Sequence, residues 1–154
     1  MKIAVGSDHR GVKAVEQIKA IVAQLNHECM DFGCETENPI DYPDVAFKAA
    51  KAVSSGQADR AVLVCGTGIG MCIAANKVEG VRAALCYDAL NAQISRQHND
   101  ANVLCLSGDL LGSSALRTIV ETWLTTEFIG GRHQRRVDKI AAIEHGRDPK
   151  DIKD

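Results

Sequence analysis

The sequence is poor in aromatic residues, in net charge and in long apolar runs. Aromatic side chains make up 4% of the 154 residues, which leaves no stacking platform for nucleobases. The formal net charge is −2, so no strong field favours nucleic acid or an anionic membrane. No apolar run approaches the roughly 18 residues of a membrane span, and no signal-like segment opens the chain. We therefore expect a cytoplasmic protein that binds neither nucleic acid nor membrane.

Paired cysteine motifs are also missing. Six cysteines occur, but no C-x-x-C pair, so a structural zinc site is not expected. Without a secretory signal the thiols are expected to be reduced. Cys86 and Cys105 lie inside apolar runs and are predicted to be core residues. Cys65 ends its apolar run, which favours a chemical role. The cysteines are Cys29, Cys34, Cys65, Cys72, Cys86 and Cys105.

Strand-like runs alternate with helical patterns along the chain. This alternation predicts an α/β fold: one doubly wound, five-stranded parallel sheet, flavodoxin- or Rossmann-like, with helices on both faces. The flavodoxin-like strand order would be 2-1-3-4-5. Residues 1–144 are expected to form one domain, followed by a polar tail at 145–154. The predicted strands are 2–6, 28–32, 60–65, 81–87 and 102–106. The predicted helices are 12–25, 44–55, 69–78, 89–97, 113–126 and 137–144, with a loop at 33–43.

The turn after the third predicted strand is the most informative segment. Cys65 is followed by Gly66, Gly68 and Gly70 in alternation with two other residues, and then by a helical pattern. Bare backbone N–H groups at such a turn suit an anion, and a thiol beside them is suited to act as a nucleophile or base. In the flavodoxin-like order strands one and three are neighbours. Ser7-Asp8-His9, after strand one, would then face this turn across one crevice.

Two nucleotide-binding motifs fail on single residues. The segment from Gly6 to Gly11 resembles the start of a phosphate-binding loop, but Val12 stands where a lysine is needed. The glycine turn fails the dinucleotide fingerprint because Met71 occupies the last glycine position. Further along the chain, His98 is open to a catalytic or a capping role. Arg132 and Arg136 would share a helix face that suits a phosphate, or would form a solvated patch.

Six contiguous motifs cover nearly the whole chain. They are Gly6-Ser7-Asp8-His9, Asp41-Tyr42-Pro43, Cys65-Gly66-Thr67-Gly68-Ile69-Gly70, Ala74-Ala75-Asn76-Lys77, Ser95-Arg96-Gln97-His98-Asn99-Asp100-Ala101-Asn102-Val103 and Gly130-Gly131-Arg132-His133-Gln134-Arg135-Arg136-Val137. Together they resemble the ribose-5-phosphate isomerase B family, which also includes galactose-6-phosphate isomerase subunits. The resemblance implies a cofactor-free and metal-independent aldose–ketose isomerase, in homodimers or tetramers whose active sites are shared between subunits.

The resemblance also implies a role for each site residue. Cys65 would be the base that moves a proton between C1 and C2 of the sugar. Thr67 and the amides of residues 66–70 would stabilise the enediolate. His98, helped by Asp8, would open the sugar ring. The implied substrate-binding residues are His9, Tyr42, Gly66, Gly68, Ile69, Gly70, Asn99, Arg132 and Arg136.

One residue departs from the family's pattern. Asp109 stands where the family usually has an arginine that reaches the phosphate, and a carboxylate there would repel a phosphate. The expected substrate pair is ribose 5-phosphate and ribulose 5-phosphate. A hexose 6-phosphate, another sugar or a non-catalytic sugar- or nucleotide-binding module remain alternatives. A thiol redox protein is a further alternative, although Cys72 is seven residues from Cys65.

Overall fold

Five parallel strands and six α-helices make up the part of the chain that the computed structural model describes, residues 1–33 and 39–153. Cys34, the centre of the predicted 33–43 loop and the last residue of the tail lie outside it. The strands are β1 (Lys2–Ser7), β2 (Glu28–Asp31), β3 (Arg60–Cys65), β4 (Ala83–Leu85) and β5 (Val103–Ser107). The helices are α1 (Val12–Gln24), α2 (Tyr42–Ser54), α3 (Ile69–Ala75), α4 (Ala89–Asn99), α5 (Ser113–Thr125) and α6 (Arg132–Glu144).

The sheet has the order β2-β1-β3-β5-β4, and every neighbouring pair is parallel. The predicted fold class is therefore confirmed, and so is the contact between strands one and three. The order 2-1-3-4-5 is wrong at its end, because β5 lies between β3 and β4. Burial explains why β4 and β5 have changed places relative to the predicted order. Every residue of β5 is buried, as suits an inner strand, whereas the three residues of β4 are only half-buried and lie at the edge.

Helices cover both faces of the sheet. Alternate residues of the inner strands point to opposite faces, so each face builds its own apolar core. One core packs α1 and α5 on Val5, Val62 and Leu104, and Trp123 of α5 is completely buried in it. The other core packs α2 and α3 on Leu63 and its neighbours. The predicted core positions of Cys86 and Cys105 are confirmed, with 1% and 0% exposure.

Several helix and strand boundaries differ from the predictions. The helix α2 begins at Tyr42 instead of 44, because Pro43 in the first turn loses no hydrogen bond and already has a helical φ. The strand β4 covers only three residues of the predicted 81–87. The helix α6 begins at Arg132, five residues earlier than predicted, after Gly130 and Gly131 with φ angles of 61° and 57°.

The segment after α6 adds a short 3-10 helix, Pro149–Asp151, which contacts α6. His145 caps the end of α6, where its ring contacts the carbonyl of Ala141 and the carboxylate of Glu79. Within the described residues, no helix combines the length and the apolar character that a membrane crossing requires.

Candidate active site

A cleft of about 520 Å³ lies at the carboxyl edge of the sheet, where β1 and β3 end side by side. Parallel strands deliver their following loops to the same edge, and ligands of such sheets bind there. The sequence-predicted crevice between the residues after strand one and the glycine turn is therefore present. The residues that line this cleft are Asp8, Arg10, Tyr42, Cys65, Gly66, Thr67, Ile69, Gly70, Ile73 and Asp109.

Cys65 is the last residue of β3 and lies at the floor of the cleft, with 4% of its surface exposed. Its Sγ accepts a hydrogen bond from the backbone N–H of Gly68 at 3.2 Å. Gly68 has a φ of 78°, and a Cβ there would lie 2.9 Å from the backbone of Leu106. The turn can therefore close around the sulfur only with a glycine at this position.

The rest of the glycine turn supplies hydrogen-bonding groups to the cleft. The N–H of Ile69 donates to Oγ1 of Thr67 at 3.3 Å. The hydroxyl of Tyr87 donates to the carbonyl of Thr67 at 3.1 Å, which ties the turn to the loop after β4. Within the described residues, the N–H groups of Thr67 and Gly70 have no protein acceptor. These two donors are therefore available to a ligand.

Asp8 and Tyr42 approach the turn from two other elements. The Asp8 side chain is buried, and its Oδ1 accepts the N–H of Arg10 at 2.9 Å, which fixes the loop after β1. Tyr42 is the first residue of α2, and its ring packs on Gly70. A Cβ at Gly70 would lie 2.6 Å from two atoms of that ring. The glycine thus makes room for an aromatic side chain beside the cleft.

The cleft contains seven of the predicted site residues, but not the others. His98 and Asn99 end α4, and Arg132 and Arg136 lie in the first turns of α6. The N–H of Ile129 donates to the carbonyl of Gln97, so the loop before α6 adjoins the end of α4. Both places lie at the amino edge of the sheet, because α4 and α5 run back from the carboxyl edge. We call these four residues, with His133, the amino-edge group.

The amino-edge group and the cleft lie at opposite ends of the sheet. The six residues of β3 separate them, and at a rise of about 3.3 Å per residue a strand of this length spans roughly 16 Å. His9 and Gly68, the remaining predicted residues, follow β1 and precede α3, at the carboxyl edge, but do not line the cleft. Within one copy of the chain, the predicted site is therefore divided in two.

Two imidazole rings stack in the amino-edge group. The centroids of His98 and His133 are 4.1 Å apart, and the ring planes differ by 8°. His133 is 4% exposed, and its Nδ1 has no hydrogen-bond partner within the described residues. Burial lowers the pKa of His133, and the neighbouring charges of His98, Arg132 and Arg136 lower it further. The lowered pKa favours the neutral form of His133, whose ring stacks on the His98 ring.

The pairing of Arg10 with Asp109 at the rim of the cleft is not predicted from the sequence. Nε and Nη2 of Arg10 donate to the Asp109 carboxylate, the shortest contact being 2.6 Å. Hydrogen bonding to this carboxylate raises the pKa of Arg10. The signal was present, since opposite charges follow the carboxyl ends of two inner-sheet strands, but the wrong strand order concealed it. Asp109 faces a cation inside its own chain.

A family model described as Ribose/Galactose Isomerase matches residues 3–140. The chain belongs to the ribose/galactose isomerase family. It is 44% identical over 146 residues to ribose-5-phosphate isomerase B of Escherichia coli, which covers 95% of this chain and 98% of that protein. It is 41% identical over 147 residues to D-erythrulose-4-phosphate isomerase of Pectobacterium atrosepticum, with coverage of 94% and 96%.

The solved structure of a relative has the same fold as this chain. Ribose-5-phosphate isomerase B of Clostridium thermocellum superposes with a TM-score of 0.93 at 47% identity, covering 95% of this chain and 99% of that one. The predicted family is confirmed. The predicted class of enzyme, an aldose–ketose isomerase, is confirmed with it.

Proposed function

We propose that the chain interconverts ribose 5-phosphate and ribulose 5-phosphate, with Cys65 as the base. The cleft carries this proposal, because it places the Cys65 sulfur beside a carboxylate, a hydroxyl and two unpartnered N–H groups in a member of an isomerase family. Relatives over nearly the full length of the chain are named for sugar phosphates. We also propose a cytoplasmic location, because a reducing compartment keeps a catalytic thiol from forming disulfides.

The proposed reaction moves one proton between neighbouring carbons. The Cys65 thiolate takes the proton from C2 of the open-chain aldose. The C–H electron pair forms the C1–C2 double bond, and the carbonyl oxygen on C1 becomes an oxyanion. The Cys65 thiol then returns the proton to C1 as the proton on O2 moves to the oxygen on C1, which leaves the C2 carbonyl of the ketose. Thr67 and the N–H groups of the turn are placed to stabilise the oxyanion as it forms.

The complete site is proposed to need a second copy of the chain. The amino-edge group bears the arginines suited to a phosphate and the histidine suited to ring opening, but it lies roughly 16 Å from the cleft of its own chain. In a homodimer, or a tetramer of two such dimers, the amino-edge group of one copy would close the cleft of the other. His9 would join the two arginines at the phosphate.

Exposed apolar side chains support this arrangement. Ile69 and Ile73 are 47% and 58% exposed at the cleft, and Ile140 and Ile143 are 43% and 61% exposed on α6. The α6 pair also lines a groove of about 410 Å³ beside the edge strand β4. Apolar patches of this kind mark interaction surfaces. Because α6 carries the amino-edge arginines as well, contacts made by its apolar face would bring them to the partner.

The direct test is ketose formation from ribose 5-phosphate by the purified protein. Cys65→Ala is expected to lower kcat by about 10²–10⁴-fold, as loss of an acid–base group does. Cys29→Ala is the matched control, because Cys29 is an exposed cysteine on β2 away from the cleft. Equal activity of Cys65→Ala and wild type would remove Cys65 from the mechanism. Failure of the wild type to act on pentose phosphates would reject the substrate.

A second candidate substrate is a tetrulose 4-phosphate. The 41% identity to D-erythrulose-4-phosphate isomerase is nearly as high as that to ribose-5-phosphate isomerase B, with nearly the same coverage. A panel of tetrose, pentose and hexose phosphates with the unphosphorylated sugars decides between the candidates by their kcat/KM values. Our proposal predicts the highest kcat/KM for ribose 5-phosphate. A higher value for a tetrulose phosphate would favour the second candidate.

A further inference from the structure

The Arg10–Asp109 ion pair forms part of the cleft wall. Nε of Arg10 lies 3.3 Å and 3.0 Å from the two carboxylate oxygens of Asp109, and Nη2 lies 2.6 Å from one of them. Two nitrogens of one guanidinium therefore engage one carboxylate, an arrangement that fixes the plane and direction of the arginine head group. The pairing is more restrictive than a contact of two flexible surface charges.

The backbone of Asp109 is anchored to the backbone around Cys65. The N–H of Asp109 donates to the carbonyl of Gly66 at 3.2 Å, and the N–H of Gly108 donates to the carbonyl of Cys65 at 2.9 Å. The hydroxyl of Ser107 donates to the same Gly66 carbonyl at 2.6 Å. The loop after β5 is thus joined to the turn after β3, and Asp109 is positioned relative to the sulfur.

The pair packs directly on the residue that follows Cys65. A Cβ on Gly66 would lie 3.0 Å from Nε of Arg10 and 3.0 Å from Oδ2 of Asp109. The absence of a side chain at this position therefore lets the pair lie against the turn. The Arg10 head group therefore lies beside the residue that follows the sulfur, in the same cleft.

The charge of the cleft points to the role of Arg10. Among the described residues that line the cleft, Arg10 is the one lysine or arginine, and it faces the carboxylates of Asp8 and Asp109. Its side-chain hydrogen bonds within the described residues all go to Asp109 through Nε and Nη2, which leaves the donors of Nη1 for a ligand. The Arg10 side chain is 56% exposed, so a ligand can reach it.

We propose that Arg10 binds the phosphate-bearing end of the substrate and that Asp109 is its positioning residue. This inference rests on the proposed isomerase function and deepens it, because it assigns a phosphate contact to the chain that also carries the sulfur. Asp109 orients the guanidinium and moderates its charge. The carboxylate that departs from the family's pattern thereby acts through an arginine instead of opposing the phosphate directly.

The test compares a phosphorylated with an unphosphorylated sugar in matched variants. For Arg10→Gln we expect kcat/KM for ribose 5-phosphate to fall about tenfold, mainly through KM, with less than about a twofold change for ribose. Arg10→Lys, which keeps the charge but not the fork, should recover part of the loss. Asp109→Ala, which removes the carboxylate that orients the guanidinium, should raise KM for ribose 5-phosphate about two- to fivefold, and Asp109→Glu should recover part of that loss.

Controls separate substrate binding from a structural role. Arg117→Gln removes another half-exposed ion pair, which Arg117 forms with Glu121 on α5 away from the cleft. This variant should leave kcat/KM unchanged for both substrates. The proposal would be overturned if Arg10→Gln left kcat/KM unchanged for both substrates, or if it lowered kcat/KM equally for both. If the wild type isomerises neither sugar, the proposed function fails. The Kd values of the wild type and of Arg10→Gln for ribose 5-phosphate and for ribose, measured by calorimetry, then decide the role of Arg10. Weaker binding of ribose 5-phosphate alone supports the proposal, and an equal effect on both sugars overturns it.

Discussion

Two inactive variants should restore activity to each other if every catalytic site takes residues from two copies of the chain. Cys65→Ala removes the base from the cleft. The double variant Arg132→Ala/Arg136→Ala removes two cations from the amino-edge group. Both arginines are exposed on the first turns of α6, so their loss leaves the core intact. Each variant by itself should be almost inactive.

The recovered fraction follows from counting sites. Random assembly of equal amounts makes half of the dimers mixed. A mixed dimer has one site with both defects and one site with neither, because the two-fold symmetry pairs each cleft with the other copy's amino-edge group. One intact site in half of the dimers amounts to about a quarter of the wild-type activity per chain. The same count holds for tetramers built from such dimers.

The assay is ketose formation from ribose 5-phosphate after the two variants are produced together in one cell with different affinity tags. Purification through both tags isolates the mixed dimers, whose activity should approach half of the wild-type value. The separately purified variants are the controls. Activity of the mixed dimers no higher than that of the parents would refute the shared site, because every chain would then depend on residues of its own.

Four other predictions concern packing and titration. Gly70→Ala places a Cβ against the Tyr42 ring and should raise KM several-fold while Tm changes little, because both residues lie at the cleft and not in the core. The pKa of buried His133 is lowered, so below about pH 6.5 the unfolded chain binds more protons than the folded chain, and stability falls with pH. His133→Phe should therefore reduce the loss of Tm as the pH falls through that range. The pKa of His145 is raised by the Ala141 carbonyl and Glu79. The contribution of His145 to the free energy of unfolding is therefore present below about pH 6.5 and lost as the pH rises through its folded pKa. His145→Gln should lower Tm at about pH 5.5 more than at about pH 8.5. Hydrogen bonding with the Cys105 side chain lowers the pKa of Cys72 to about 7. Alkylation of Cys72, followed by mass spectrometry, should therefore reach half its maximal rate near that pH, and a midpoint above pH 9 would contradict this.

Local sequence carried enough information for the elements and for half of the candidate site. The apolar run of β3 and the glycines after it predicted a strand, a turn and a helix, and the structure has each of them. Asp8 was expected to face Cys65 from strand one, which requires only that β1 and β3 be neighbours. Both residues line one cleft. These features depend on interactions between residues close in sequence and on one strand contact.

The positions of β4 and β5 and the division of the site depended on contacts that local patterns do not encode. Both strands read as apolar runs, and only burial in the assembled sheet distinguishes the inner strand from the edge strand. The motif around His98 was recognised, but its place at the amino edge follows from the direction of α4. A family motif therefore identified residues without giving their arrangement.

By itself the sequence determined the α/β alternation, the glycine turn around Cys65 and the family, because each of these depends on residue order and local backbone freedom. Only the tertiary structure decided that Arg10 meets Asp109, which is 99 residues away along the chain. It also decided that the cleft and the amino-edge group lie apart. The physical reason is that a parallel sheet brings the ends of distant strands to one edge and sends the ends of the intervening helices to the other.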